Sequence, residues 1–194
     1  MLIGVYSTPE LGFLAKNEWV WTEKVDGQNI KIEWDGERVS IGGHTAKSQI
    51  NPYLLPTLEE LFLGEEKEEV FEQRFGSTPV TLFGEGFGEK IQTGGGKYGK
   101  PNFILFDAVC GDMWLRRESV KEIGGYFHIP VVPVVGHGDL NEAEEFIRSM
   151  PRSMLKDDIM EGIVCRPETE LLDRAGRRII VKIKCRDFKG GGEL

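Results

Sequence analysis

One lysine lies in a short charged segment whose neighbours could give it a chemical role. In Glu23–Asn29 (EKVDGQN), Lys24 follows a carboxylate and precedes another, Asp26, and a glycine that suits a turn. A lysine amine can form a covalent intermediate once it has lost its proton, and nearby cations favour that neutral form. Taken alone, however, the segment is better explained as an exposed charged turn between two strands.

Two further lysines lie on one face of a predicted strand near the end of the chain. Within residues 179–185 (IIVKIKC), Lys182 and Lys184 alternate with apolar residues, and Arg186 continues the basic face. Side chains two positions apart on a strand point the same way. Neighbouring ammonium groups repel each other unless an anion lies between them. This face therefore either binds phosphate or is simply solvated.

Two glutamates stand beside glycines at the ends of predicted strands. Glu85 lies in Phe83–Gly86 (FGEG), and Glu161 begins Glu161–Val164 (EGIV). Between them, Phe103–Asp107 (FILFD) has the apolar run of a buried strand and includes the aromatic Phe106. A carboxylate at a strand end can reach a cavity, although each glutamate by itself is better explained as a solvated turn residue.

In order and spacing, these five segments resemble motifs I, III, IIIa, IV and V of the covalent nucleotidyltransferase superfamily of ligases and capping enzymes. The resemblance is closest to ATP-dependent RNA ligases of the phage-type nick-sealing group, and it runs from about Trp21 to Phe188. The motifs KxDGxN, EGIV and KIK are short individually but specific together. The resemblance implies an α+β fold of mainly antiparallel sheets flanked by helices, the nucleotidyltransferase (ATP-grasp-like ligase) domain.

The resemblance also implies a role for each matching residue. Lys24 would attack the α-phosphate of ATP and carry AMP, and Lys182 and Lys184 would act with it on the phosphates as catalytic residues. Glu23 matches a position that contacts the adenine amino group, and Phe106 matches an adenine-stacking aromatic. The implied nucleotide-binding residues are Glu23, Asn29, Glu85, Phe106, Lys182 and Lys184.

The implied cofactors are ATP and Mg²⁺ or Mn²⁺, with Asp26 and Glu161 as metal ligands. Magnesium prefers oxygen ligands and keeps several waters, so a few carboxylates suffice. The histidines and cysteines are not needed, and they have no zinc-like spacing. The residues expected to contact nucleic acid are Asn29, His44, Lys47 and Arg186.

The implied reaction has three steps. Lys24 takes AMP from ATP, the AMP moves to a 5′-phosphate end, and a 3′-hydroxyl displaces AMP to form the phosphodiester. The expected partners are RNA ends or nicks, and DNA remains open as a substrate.

Two segments depart from the pattern of related ligases. His44 stands in Gly43–Lys47 where they carry an arginine, and a neutral histidine cannot grip phosphate through two hydrogen bonds. Lys47 is an alternative cation, and a plain turn residue explains His44 equally well. Gln92–Tyr98 resembles a loop of phage-type ligases, but a flexible surface loop is the preferred interpretation. It is not a P-loop, because Lys97 is not followed by Ser or Thr.

Alternation and turn signals predict the elements that must position these residues. Antiparallel β-structure is predicted over Glu18–Gly43, with a hairpin turn at Asp35-Gly36. A capping box of Thr57 and Glu60 predicts a helix to about Phe75 that is weakened at Gly64, and Asn141 with Glu144 predicts another cap. Further strands are predicted at Val80–Phe83, Phe103–Val109, Ile163–Arg166 and Ile179–Cys185, and a helix at Arg117–Phe127.

The charge of the chain is negative and unevenly distributed. The net charge of −8 argues against a protein that coats nucleic acid nonspecifically. Residues 59–72 carry seven Glu and one Lys, whereas residues 171–189 carry seven basic residues and two Asp. The basic stretch is expected to meet phosphates while the acidic helix faces away from them.

The expected organisation is one adenylyltransferase/ligase domain over residues 1–194. Ten residues follow Lys184, which leaves no room for a C-terminal OB domain. The chain has no apolar run of about 20 residues and no signal-like start in Met1–Pro9, so we expect a cytoplasmic protein without a membrane span. The three cysteines form no disulfide framework, and each is predicted to be a buried, inert thiol.

Two other functions remain as alternatives. A DNA ligase or a capping-type nucleotidyltransferase would use the same lysine, although the missing OB domain counts against both. A silent nucleotide- or RNA-binding module is the alternative from a different class. The presence of Lys24, Glu161, Lys182 and Lys184 makes it less favoured.

Overall fold

A computed structural model describes residues 7–45 and 47–188, and the chain divides into two compact units. The terminal unit takes the chain up to Val25 and again from Val132 onward, and the central unit is Asp26–Val131. Each unit has its own sheet and its own apolar core. The predicted α+β class with antiparallel sheets is confirmed, and the single domain stays a prediction. Ala46 and Lys189, named in the predicted segments, lie outside the described residues.

The described elements follow one another along the chain as follows: α1 (Pro9–Leu14), β1 (Trp19–Lys24), β2 (Gln28–Trp34), β3 (Val39–Gly43), α2 (Leu55–Phe62), α3 (Glu65–Phe75), β4 (Val80–Phe87), β5 (Asn102–Cys110), β6 (Met113–Trp114), α4 (Arg117–Tyr126), β7 (Val134–Gly138), α5 (Leu140–Arg148), β8 (Gly162–Pro167) and β9 (Val181–Lys184). Short 3₁₀ turns occupy Gly95–Tyr98 and Cys185–Phe188. The ends of the predicted strands and of the α4 helix are confirmed to within four residues.

The sheet of the terminal unit has the strand order β7-β1-β8-β9, with every neighbouring pair antiparallel. Alternate residues of β1, β8 and β9 point into the core, where they pack with α5 residues such as Ile147. The core face includes Trp19, Trp21, Ile163, Cys165, Val181 and Ile183. Lys24, Lys182 and Lys184 lie on the opposite face. The predicted alternation of apolar and basic residues in β9 is therefore confirmed.

The sheet of the central unit has the strand order β3-β2-β4-β5-β6 and is also antiparallel. Ile30, Ile32 and Trp34 point to one face, where α2, α3 and α4 cover them. Their intervening neighbours Asn29 and Lys31 point to the other face. The predicted β-segment Glu18–Gly43 is thus antiparallel throughout, but β1 and β2 belong to different sheets.

Two predicted helix starts are wrong, and both corrections have a local cause. The helix predicted from Thr57 begins at Leu55 with Pro56 in its first turn, and it breaks before Gly64, whose φ of 110° no helix accommodates. The residue that caps α5 is Asp139, not Asn141, and Asp139 forms a capping box with Glu142. Arg186 lies in a 3₁₀ turn, so it does not extend the basic face of β9.

Among the described residues, the helices are too short or too polar to cross a lipid bilayer.

Candidate active site

Three charged side chains meet at one end of the terminal sheet. The Nζ atom of Lys24 lies 2.6 Å from Oε2 of Glu161, and the Nζ atom of Lys184 lies 3.1 Å from Oε1 of the same carboxylate. All three side chains are between 17% and 26% exposed, which keeps the cluster partly shielded but open to solvent. The structure therefore brings together three predicted site residues, with the Glu161 carboxylate shared by the two lysines.

The strand register explains why these residues meet. Lys24 pairs with Gly162 across β1 and β8, and Gly162 pairs with Lys184 across β8 and β9. The two lysines therefore stand on the same row, two strands apart, with a residue that has no side chain between them. A Cβ atom at position 162 would lie 2.1 Å from the backbone oxygen of Ile183, so only glycine fits here. Glu161 precedes this glycine and its carboxylate reaches both amines.

Lys182 and Arg186 flank the cluster, and both are exposed. Lys182 shares a face with Lys184 and is exposed. Arg186 is 72% exposed, and its Nε atom is 3.9 Å from Asp187 Oδ1. The basic stretch is partly neutralised, because Arg177 pairs with Asp173 and Arg178 pairs with Glu170.

Glu23 is buried on the opposite face of β1 from Lys24, with 1% of its surface exposed. Its Oε1 accepts a hydrogen bond from Ser153 Oγ, and its Oε2 accepts one from Met154 N at 2.8 Å. The Ser153 hydroxyl in turn accepts from the backbone of Leu155 and Lys156. The carboxylate thus anchors the segment that leads to Glu161. Contact with adenine stays a prediction, and the sequence carried no signal for Ser153.

The turn after Lys24 is hydrogen-bonded by two segments of the central unit, Gln92–Tyr98 and residues 49–51. Asp26 N donates to Tyr98 Oη at 3.2 Å, and Gln92 Nε2 donates to Gly27 O at 3.3 Å. Gln28 contacts both Gln49 O and Asn51 N through its side-chain amide. A Cβ atom at position 27 would lie 2.2 Å from Gly86 O, which explains the glycine. The Gln92–Tyr98 segment, which we predicted to be a flexible surface loop, is therefore hydrogen-bonded to this turn through Gln92 and Tyr98.

Two of the predicted nucleotide-binding residues face each other on the central sheet. Asn29 on β2 pairs directly with Glu85 on β4, on the face opposite the core. Phe106 is the extra residue where the β4–β5 register shifts between Phe83 and Gly84, so it forms a β-bulge. Its carbonyl accepts a hydrogen bond from Arg117 Nη1 at 3.3 Å. A β-bulge changes the direction of its side chain, so Phe106 departs from the regular alternation of β5.

His44 and Lys47 are exposed in the turn that follows β3. The turn is closed by Thr45 and Ser48, whose hydroxyl oxygens lie 2.8 Å apart. Both side chains are available to solvent, and a nucleic-acid contact for either one stays a prediction.

The candidate metal ligands are carboxylates in both units, Glu161 in the terminal unit and Asp26 in the central unit. No cluster of three or more His, Cys, Asp or Glu side chains occurs in the part of the chain that the structure describes. Carboxylate oxygens such as those of Glu161 and Asp26 are ligands that Mg²⁺ prefers, and this ion commonly takes one or two of them and completes its shell with water and substrate phosphates.

Comparison with known proteins gives a family and a fold. The family model described as RNA ligase matches residues 17–184. No curated protein matches the chain.

Solved structures of an RNA ligase from Naegleria gruberi are similar to this chain. A variant with ATP and Mn matches with a TM-score of 0.67 and 19% identity over 93% of this chain and 54% of that one. The same ligase with PPi matches with a TM-score of 0.67 and 20% identity, over 93% of this chain and 53% of that one. A further variant with ATP and Mn matches with a TM-score of 0.69 and 18% identity, over 95% of this chain and 55% of that one. The fold is shared, and our chain spans about half the length of these proteins.

Proposed function

The chain belongs to the RNA ligase family, and from this premise we propose that it is an ATP-dependent RNA ligase that carries AMP on Lys24. It would join a 5′-phosphate end to a 3′-hydroxyl end. We also propose that DNA ends are a second substrate and that the protein is cytoplasmic. The Naegleria ligase, which shares the fold, has been solved with ATP and Mn and, in a separate structure, with PPi, which would be the leaving group of such a reaction.

The observation that carries the proposal is the Lys24–Glu161–Lys184 cluster. At 2.6 Å, Glu161 Oε2 is within hydrogen-bond reach of the proton that the Lys24 amine must lose. Lys184, which pairs with Glu161, would gain a second anionic partner when a nucleoside triphosphate binds. In this proposal Lys24 is the nucleophile, Glu161 the proton acceptor and Lys184 the phosphate-binding cation.

The first step would make one bond and break one. The Lys24 nitrogen bonds to the α-phosphorus of ATP, the bond from that phosphorus to the bridging oxygen breaks, and pyrophosphate leaves. The proton from the amine passes to Glu161. Lys182 and Lys184 would stabilise the charge that builds on the phosphates. Asn29, Glu85, Phe106 and Glu23 are proposed to position the nucleotide.

Magnesium or manganese would be held by Glu161 and Asp26 as oxygen ligands. When bound, such an ion neutralises phosphate charge and activates phosphorus towards attack.

The later steps would use the nucleic acid. AMP is transferred from Lys24 to a 5′-phosphate, and a 3′-hydroxyl then displaces AMP. Asn29, His44, Lys47 and Arg186 are proposed to contact the strands, with the phosphate backbone supplying most of the binding.

Intact-mass measurement after incubation with ATP and Mg²⁺ tests the proposal. We expect the wild-type protein to gain the mass of one AMP, and Lys24→Ala to gain none. Lys16→Ala is the matched control, because Lys16 is an exposed lysine of the same unit, and it should gain AMP normally. Retention of GMP would favour a capping-type enzyme, and no gain with any nucleotide would favour a silent binding module.

Sealing assays on matched RNA and DNA nicks then define the substrate. We expect the 5′-phosphorylated RNA nick to be sealed and the Lys24→Ala variant to seal neither. Adenylylation of the protein without sealing of any RNA end would remove the ligase assignment and leave only nucleotidyl transfer.

A further inference from the structure

An exposed aromatic ring and a lysine form a pair on the surface of the central unit. Tyr53 is 56% exposed, and the Nζ atom of Lys90 lies 4.7 Å from the centre of its ring. This distance is within the range of a cation–π contact. An exposed ring beside a positive charge is the combination that stacks a nucleobase and neutralises a phosphate.

The backbone of Lys90 is held in an unfavourable conformation. Its φ is 65°, in the left-handed region that residues with a side chain rarely adopt. The carbonyl of Lys90 accepts a hydrogen bond from Asn51 Nδ2 at 3.0 Å, which helps to keep the residue there. Such strain persists where the surroundings enforce it, and it is concentrated at functional sites.

Asn51 connects this pair to the turn that follows the nucleophilic lysine. Its Oδ1 accepts from Tyr53 N at 2.9 Å, and its own backbone N donates to Gln28 Oε1 at 2.8 Å. One residue therefore contacts Tyr53, Lys90 and Gln28. Gln28 belongs to the segment Glu23–Asn29 that carries Lys24.

The segment that carries Lys90 has more basic than acidic residues. Lys97 and Lys100 follow on the same segment and are exposed, and Glu89 is the exposed acidic residue among them. This contrasts with the net charge of −8 for the whole chain. A nucleic-acid strand is the partner that matches both local lysines and an exposed aromatic ring.

We propose that Tyr53 and Lys90 form a docking platform for a single RNA strand, with a base stacked on Tyr53 and a phosphate beside Lys90. The platform rests on the proposed ligase function and adds a contact for the strand that is to be joined. It should act on RNA binding and leave the transfer of AMP to Lys24 unchanged, because neither residue belongs to the proposed catalytic machinery.

Fluorescence anisotropy with a labelled, 5′-phosphorylated single-stranded RNA tests the platform. Tyr53→Ala should bind roughly tenfold more weakly, the size typical of losing one stacked base. Tyr53→Phe should bind like the wild type, because the ring is retained. Tyr126→Ala is the matched control: Tyr126 is also an exposed tyrosine of the central unit beside a cation, Arg74, and its removal should leave affinity unchanged.

Lys90→Gly is a second, independent variant. Glycine adopts a φ of 65° without strain, so this protein should keep its thermal stability while binding RNA more weakly. The slope of log affinity against log salt should fall by about 0.7, the value for one phosphate contact on a single strand. A variant that binds weakly but stays folded cannot be explained by unfolding.

Three results would overturn the platform. They are a Tyr53→Ala affinity within twofold of Tyr126→Ala, an unchanged salt slope for Lys90→Gly, and a wild-type protein that does not bind the RNA. The proposed function is judged separately by the AMP mass gain of the wild type, which does not require RNA. If that mass gain fails, the ligase proposal fails; if it occurs and the affinities do not change, only the platform fails.

Discussion

The Nζ atom of Lys24 and the Oε2 atom of Glu161 lie 2.6 Å apart, although 137 residues separate them in the chain. The antiparallel pairing of β1 and β8 produces this contact, since it sets Lys24 opposite Gly162. Glu161 also binds Lys184, so one carboxylate balances two cations. Removing its charge should affect both the stability of the strand ends and the proposed chemistry.

Glu161→Gln should lower the free energy of unfolding by about 1–2 kcal/mol, since it leaves two partly shielded lysines without their anion. The same change should slow adenylylation of Lys24 at least tenfold, because Gln cannot accept the proton. Urea unfolding and single-turnover labelling with ATP measure the two effects. Glu145→Gln, an exposed glutamate of α5, is the control and should change neither. Normal adenylylation of Glu161→Gln would exclude Glu161 as the proton acceptor.

Glu23 and Ser153 should behave as one energetic unit. Glu23→Gln and Ser153→Ala should each cost about 1–2 kcal/mol, since each leaves buried hydrogen-bonding groups without a full set of partners. The double variant should cost less than the sum of the two, because both single changes break the same contact. Urea unfolding of all four proteins measures the coupling. Additive costs would show that the two side chains do not act together.

The specificity of the Glu23→Gln protein for nucleotides separates two roles of this carboxylate. If Glu23 acts through the Ser153 segment, the variant should keep its preference for ATP over GTP while adenylylation slows. Comparison of the two nucleotides by intact mass over time measures this preference. A selective loss of the preference for ATP would instead support direct contact with adenine.

Gly162→Ala should destabilise the terminal unit by about 2–3 kcal/mol, because the new Cβ would lie 2.1 Å from Ile183 O. The β8–β9 pair would have to separate, which should also displace Lys184 from Glu161. Thermal unfolding and AMP labelling check both effects. Gly125→Ala is the control, since a Cβ there in α4 meets nothing within 4 Å, and it should be neutral or stabilising by up to about 1 kcal/mol. A fully active, stable Gly162→Ala would contradict the close approach.

Cys165 should resist alkylation in the folded protein. Burial raises the pKa of its thiol to about 12, so at pH 8 only about one molecule in 10⁴ carries the reactive thiolate. Cys110 is half-buried and should react with iodoacetamide first. Peptide mass spectrometry after brief labelling, with and without urea, measures the order. Equal labelling of Cys165 and Cys110 before unfolding would contradict its burial.

Local patterns in the sequence predicted several elements well. The alternation of Lys182 and Lys184 with apolar residues identified both β9 and its charged face, because side chains on a strand alternate between core and solvent. The hairpin at Asp35-Gly36 was equally evident, since Gly36 supplies the φ of 107° that the turn needs. The helix starts failed for local reasons, since α2 begins next to Pro56 without any side-chain cap and Asp139, not Asn141, caps α5.

The sequence by itself determined which residues have the chemical types for nucleotidyl transfer, and the motifs at Lys24, Glu161 and Lys184 were recognisable from their order alone. The tertiary structure decided how these residues are connected. Strand pairing placed Lys24 and Lys184 on one row across Gly162. The buried carboxylate of Glu23 accepts a hydrogen bond from Ser153. Such long-range contacts depend on strand register and on which face of a strand is covered, and neither property can be predicted from a short stretch of the sequence.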